Sequence, residues 1–145
     1  KMKVICRYNK GSELPQYSKD WEYGFGPKTE FNLELNKEYL AYGMFLSDDG
    51  KVYYLLLGEA FQSPYYKPDW YPSVLFDVSD NKIPEWWYFK SFEKDKEFPL
   101  DAIWSYEEMT RDESHYIGLI EREIKDLQIF KERKKWIDRE YPEEG

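Results

Sequence analysis

Cysteine and histidine are nearly missing. One of each, Cys6 and His115, serves the whole chain, which excludes an internal disulfide and a zinc or copper site built on Cys and His ligands. Cys6 lies in the run Lys3-Val4-Ile5-Cys6, far from His115 in sequence, a setting that suits a small buried hydrophobe better than an activated thiol. A nucleophile would have only that one imidazole as its base. No G-x-S-x-G elbow, G-x-G-x-x-G turn or Walker-type phosphate cradle occurs; Gly24-Phe25-Gly26 lacks the downstream glycine and the helix start. Asp48-Asp49-Gly50 is too short for a calcium loop. No catalytic residue, metal or cofactor is therefore expected, and the chain reads as one that binds something instead of transforming it.

Two further absences narrow the partners. No apolar run approaches the roughly 20 residues needed to span a bilayer, and no basic n-region precedes an apolar stretch; with Met2 taken as the natural start, Lys1 is an addition, and the cytoplasm is the expected compartment. No stripe of lysines and arginines precedes the C-terminal helical part, and the net charge is −8, which argues against nucleic acid and anionic lipid surfaces. Such a field favours basic proteins, unless it serves solubility alone.

What the sequence has in excess is aromatic. Phenylalanine, tryptophan and tyrosine make up 20% of 145 residues, with 14 tyrosines and 6 tryptophans. A domain of this size has trouble burying all of them, and tyrosine and tryptophan are enriched where proteins grip one another.

Read along the chain, residues 3–8 are a strand, and 9–27, with Gly11, Pro15, Gly24, Gly26 and Pro27, a long loop studded with Tyr17, Trp21, Tyr23 and Phe25. Residues 31–36 alternate with period two and predict a second strand. Residues 39–46 and 52–57 are β-rich runs joined by Ser47-Asp48-Asp49-Gly50, a hairpin whose turn chemistry is explicit. Pro64, Pro68 and Pro72 make 61–72 a loop. Residues 74–78 and 85–92 follow as strands, with Trp86 and Trp87 on opposite faces of the second. From 105 the period changes. Ser105 with Glu108 and Thr110 with Glu113 match capping boxes, and a short helical turn should lead into one long helix over 112–140. Its docking arc holds Tyr116, Leu119, Ile120, Ile124, Leu127, Phe130, Ile137 and Tyr141. Ile129 and Trp136 fall on the opposite side, either as a partly exposed pair shielded by lysine stems or as a second contact surface.

The expected fold is thus a single α+β domain over 1–145: a small antiparallel barrel or curled sheet over 3–92, with a long helix over 105–141 packed on it. The run Leu35-Asn36-Lys37-Glu38-Tyr39-Leu40-Ala41-Tyr42, the acidic hairpin and Trp70-Tyr71-Pro72-Ser73-Val74-Leu75-Phe76-Asp77-Val78 resemble an SH3-like small barrel. Together with Ile83-Pro84-Glu85-Trp86-Trp87, the chain resembles small bacterial proteins of which some serve as immunity proteins in toxin systems. That resemblance implies a protein that binds and blocks a basic toxin, and it brings no catalytic residues.

On this reading the partner-binding residues are Asp48 and Asp49 on the hairpin, Tyr65, Tyr66, Trp70 and Tyr71 on the proline-rich segment, and Trp21 on the first loop. Each aromatic among them suits core or loop packing equally well. Two alternatives stand beside this one: an SH3-like module reading proline-rich or extended peptides, and an acid/base enzyme using Asp69 and Asp77, if burial against aromatic rings raises a pKa.

Overall fold

The computed structural model describes residues 1–14, 26–61, 66–93, 98–111 and 113–142. Eight strands are assigned within them: β1 (Lys3–Cys6), β2 (Glu38–Leu40), β3 (Gly43–Ser47), β4 (Val52–Leu56), β5 (Asp69–Pro72), β6 (Phe76–Asp80), β7 (Tyr88–Ser91) and β8 (Leu100–Ser105). Three helices follow, α1 (Glu107–Arg111), α2 (Glu113–Ile120) and α3 (Ile124–Glu140). The strands form two antiparallel sheets, ordered β2-β1-β6 and β5-β4-β3-β8-β7.

The expected barrel does not close. Residues 39–46, read as one strand, are two: β2 ends at Leu40, and after Ala41 and Tyr42 the chain re-enters as β3 of the other sheet. Three layers result, with the larger sheet in the middle. In β4, Tyr54 and Leu56 face the smaller sheet, where they pack with Val4, Cys6, Tyr39 and Leu75. Leu55 and Leu57 face the helices, against Ile103, Met109, Leu119, Phe130 and Ile137. That two-sided burial is why the β4 run is apolar without alternation. The smaller sheet covers only part of the larger one. One cross-strand row runs Tyr71, Tyr54, Met44, Trp104, Phe89; Tyr71 and Tyr54 are buried, while Phe89 is 58% exposed.

The hairpin forms as expected, with Leu46 opposite Val52 and Gly50 at φ 84°. Other expectations fail for identifiable reasons. Residues 31–36 form no strand: the Leu33 N–H bonds back to the Phe31 carbonyl, and Asn36 takes φ 65° before β2 begins. Proline leaves room for β5 because it is a sheet edge, paired only with β4. The β6 strand starts at Phe76, since Ser73–Leu75 is a 3-10 turn. Trp86 and Trp87 precede β7 in a turn, packed edge to face at 6.0 Å. Leu100–Ser105, which sequence reading leaves unassigned, is a strand between β3 and β7.

Neither capping box forms. The Ser105 hydroxyl donates to the Tyr42 carbonyl at 2.8 Å, Glu108 accepts from Arg133, and Thr110 bonds the Glu107 carbonyl inside α1. The single long helix is broken at 121–123. Glu123 N–H bonds the Gly118 carbonyl and Arg122 N–H the Leu119 carbonyl, with Arg122 at φ 59°; this is a Schellman stop with arginine where glycine is usual. The Arg122 side chain compensates by bonding the Pro68 carbonyl and lying 3.9 Å from Asp69. Ile124, which opens α3 beyond the break, leaves the expected arc and is 85% exposed, and Ile120, the last residue of α2, is 51% exposed. Tyr116, Leu119, Phe130 and Ile137 keep their places in the core. No helix among the described residues is long and apolar enough to cross a membrane.

Cys6 is fully buried, its thiol donating to the Tyr8 carbonyl at 3.3 Å, and burial pushes its pKa up to about 11 from 9.0. Burial likewise pushes Tyr71 and Tyr116 to about 12. The folded state therefore favours the protonated forms: the Cys6 contribution is complete below pH 9.0 and is lost as pH rises through about 11. The melting temperature should fall across that interval, and less steeply in Cys6→Ala; identical slopes in a thermal-unfolding series over this pH range would contradict it.

Candidate functional site

The hairpin tip is held from three sides. Ser47 N–H bonds the Lys51 carbonyl at 2.8 Å, the Ser47 hydroxyl bonds Asp49, and Asp48 N–H bonds the Pro99 carbonyl at 2.9 Å. That last bond ties the tip to the chain entering β8. Both aspartate side chains are left exposed, and neither forms an ion pair among the described residues.

Beneath them opens a cleft of about 240 Å³ lined by Phe45, Tyr53, Leu100, Pro99 and Tyr116 with Asp48 and Asp49. Phe45 and Tyr53 are directly opposed across the hairpin and stack at 4.7 Å. Tyr116 meets Phe45 edge-on at 5.9 Å from α2, and Trp70 backs both rings at 4.8 and 5.8 Å. Tyr116 is 8% exposed. Its hydroxyl has no hydrogen-bond partner among the described residues, and the ionisable groups that act on it are Tyr53 and Asp69.

Of the residues expected at a partner surface, the structure brings together Asp48, Asp49 and, behind the cleft wall, Trp70. Tyr66 is elsewhere, packed on the helix-side core with Lys134 5.1 Å from its ring. Tyr71 is buried under the smaller sheet. Trp21 and Tyr65 lie outside the described residues. Phe45, Tyr53 and Tyr116 were not foreseen at the site; Phe45 and Tyr53 could have been, because hairpin register sets them face to face once the turn is placed.

Ile129 and Trp136 do share a surface, an open groove of about 340 Å³ with Gln128, Glu132, Glu108 and Arg133. The Arg133 guanidinium closes one side, 5.0 Å over Trp136 and 2.7 Å from Glu108. Asp69 and Asp77 occupy different sheets. Both are exposed and face arginines, Asp69 toward Arg122 and Asp77 toward Arg7 at 2.8 Å, so the burial that acid/base chemistry would require of them is missing.

One polar cluster has the composition of a proton relay. The Tyr106 hydroxyl lies 2.7 Å from His115 Nε2, and His115 Nδ1 lies 2.8 Å from Asp126 Oδ1. A neutral imidazole satisfies both contacts, donating to the carboxylate and accepting from the phenol. Tyr106, His115 and Asp126 are 1%, 3% and 2% exposed; a substrate has no access to the phenol oxygen, and the cluster instead joins β8, α2 and α3. Among the described residues no group of three or more His, Cys, Asp or Glu side chains is placed to hold a metal ion.

Comparison with known proteins finds no matching family model, no matching curated protein and no matching solved structure.

Proposed function

We propose that this protein is an immunity-type inhibitor, which neutralises a basic toxin by meeting its cationic surface with Asp48 and Asp49 and anchoring it over the aromatic cleft. The observation that carries this reading is the juxtaposition itself: two carboxylates without ion-pair partners among the described residues, held on a braced hairpin directly above clustered aromatic rings. Charge sets encounter rate and orientation, whereas desolvated aromatic contacts supply most of the affinity. The net charge of −8 works in the same direction over longer range.

The test is co-expression with a toxin encoded beside this chain's gene, together with capture of basic proteins from the native host. Protection of growth is expected, and association should slow by about tenfold or more as salt rises from low to well above physiological. Asp48→Lys with Asp49→Lys should abolish protection. Capture of no basic protein together with failure to protect would overturn the proposal.

A further inference from the structure

We infer that β7 is a dimerisation edge, along which a second copy of this chain adds its own β7 antiparallel and joins the two larger sheets into one. The strand is the last of its sheet, paired with β8 alone. Register fixes which of its backbone groups are left over. Phe92 N–H bonds the carbonyl of Asp101, the residue directly across from it. With Lys90 opposite Ile103 and Tyr88 opposite Ser105, the positions bonded to β8 are therefore Tyr88, Lys90 and Phe92. Phe89 and Ser91 turn their N–H and C=O groups the other way, to the open edge.

The two edges of the larger sheet are finished differently. β5 follows Pro68, ends in Pro72 and has Arg122 bonded to the Pro68 carbonyl, and proline of this kind blunts an edge. β7 contains no proline and carries Tyr88 and Phe89, 52% and 58% exposed, on opposite faces. A bare edge of this sort is a template for another strand.

Self-complementarity selects the occupant. A two-fold axis normal to the sheet and passing at Phe89 sets that residue opposite its own copy, in a pair that exchanges both N–H···O bonds. Ser91 then faces Trp87 of the second copy, and Tyr88 faces Lys90 of the second copy, a ring beside a cation, with the same pair repeated across the axis. On the other face the Trp104–Phe89 contact, 5.0 Å between centroids, continues through the second Phe89 to the second Trp104. The assembly closes as a dimer because it consumes both β7 edges and leaves the proline-blunted β5 edges outside. A strand of four residues falls below the roughly 1,200 Å² of a standard interface, so the expected Kd is on the order of 10–100 µM.

The experiment is sedimentation of the full chain from ~5 µM to ~1 mM in low and high salt. Mass should rise from 17.7 kDa toward twice that value with concentration. Salt should tighten the Kd about threefold or more, because it screens the repulsion between two chains of charge −8; a basic partner would respond in the opposite sense. Phe89→Lys sets like charges directly opposite each other, and Ser91→Pro removes an edge N–H that β8 does not use. Each should weaken association about tenfold or more and leave the melting temperature nearly unchanged, as surface substitutions do. Phe89→Cys should cross-link to its own copy under diamide, since the Cα atoms of such a pair lie ~5.5 Å apart. Ser91→Cys, ~14 Å from its copy in this register, should not. A monomer at every concentration, whether the edge stays bare or takes a strand from another protein, would overturn the inference. So would a dimer indifferent to both Phe89→Lys and Ser91→Pro, or equal cross-linking by the two cysteine variants.

Discussion

Asp126→Ala is expected to lower the unfolding free energy by ~1–3 kcal/mol, the range for leaving a buried hydrogen-bonding group without its partner. Asp126 stands in the first turn of α3 and accepts from His115 in α2, so the bond clamps the two helices across the break at Arg122. Its loss leaves a buried imidazole N–H with no acceptor. Gly118→Ala tests the same clamp from the other side. A Cβ at Gly118 would come within 1.8 Å of Asp126 Oδ2, so the carboxylate must leave its place. Alanine normally favours a helix over glycine by ~1 kcal/mol, and here the sign should reverse to a loss of several kcal/mol. The two losses should not add, because an alanine at 126 removes the atom that Gly118→Ala would strike. Denaturant unfolding of the two single variants and the double variant measures this coupling; additive losses, or a stabilising Gly118→Ala, would show that the two positions are not in contact.

The second large loss is expected at Phe130. It is fully buried, packs edge-on to Tyr42 at 5.1 Å and lies 6.4 Å from Tyr106. Phe130→Ala should cost ~3–5 kcal/mol in transfer and cavity terms. Ile129→Ala, one residue away on the groove side, should cost less than about 1.5 kcal/mol because Ile129 is only partly buried. The contrast gives the orientation of α3: comparable losses at the two positions in equilibrium unfolding would mean that the helix is rotated from the one described.

Local chemistry made some of this architecture readable in advance. Asp49-Gly50 between two β-rich runs specifies a hairpin without tertiary help, and its acidic tip was identified with it. The change of period after residue 105 announced the helices. The features missed depend on contacts distant in sequence. Glu121-Arg122-Glu123 contains no glycine to announce a stop, and the side chain that supports the strained arginine bonds Pro68. The β8 strand is hard to recognise because Leu100, Ala102, Ile103 and Ser105 are buried without regular alternation. Asp69–Pro72 reads as a loop because proline is counted against strands without knowing which strand will be an edge. At the site the acidic rim was legible and the aromatic wall was not: Tyr116 arrives from α2, and a residue contributed by another element leaves no periodic trace near the hairpin.

Strand order also governs how a growing chain can assemble. Hairpin β3-β4 and then β5 pair as they are made, but the other side of β3 belongs to β8, whose residues come more than 50 positions later. Until Leu100–Ser105 has been synthesised, β3 has an unpaired edge and the larger sheet has no helices over its apolar face. Chains halted before that point should aggregate through β3, whereas those extended through α3 should stay in solution. The last-made strand thus acts as the keystone of the larger sheet, and the C-terminal third of the chain protects the earlier strands that carry the acidic hairpin.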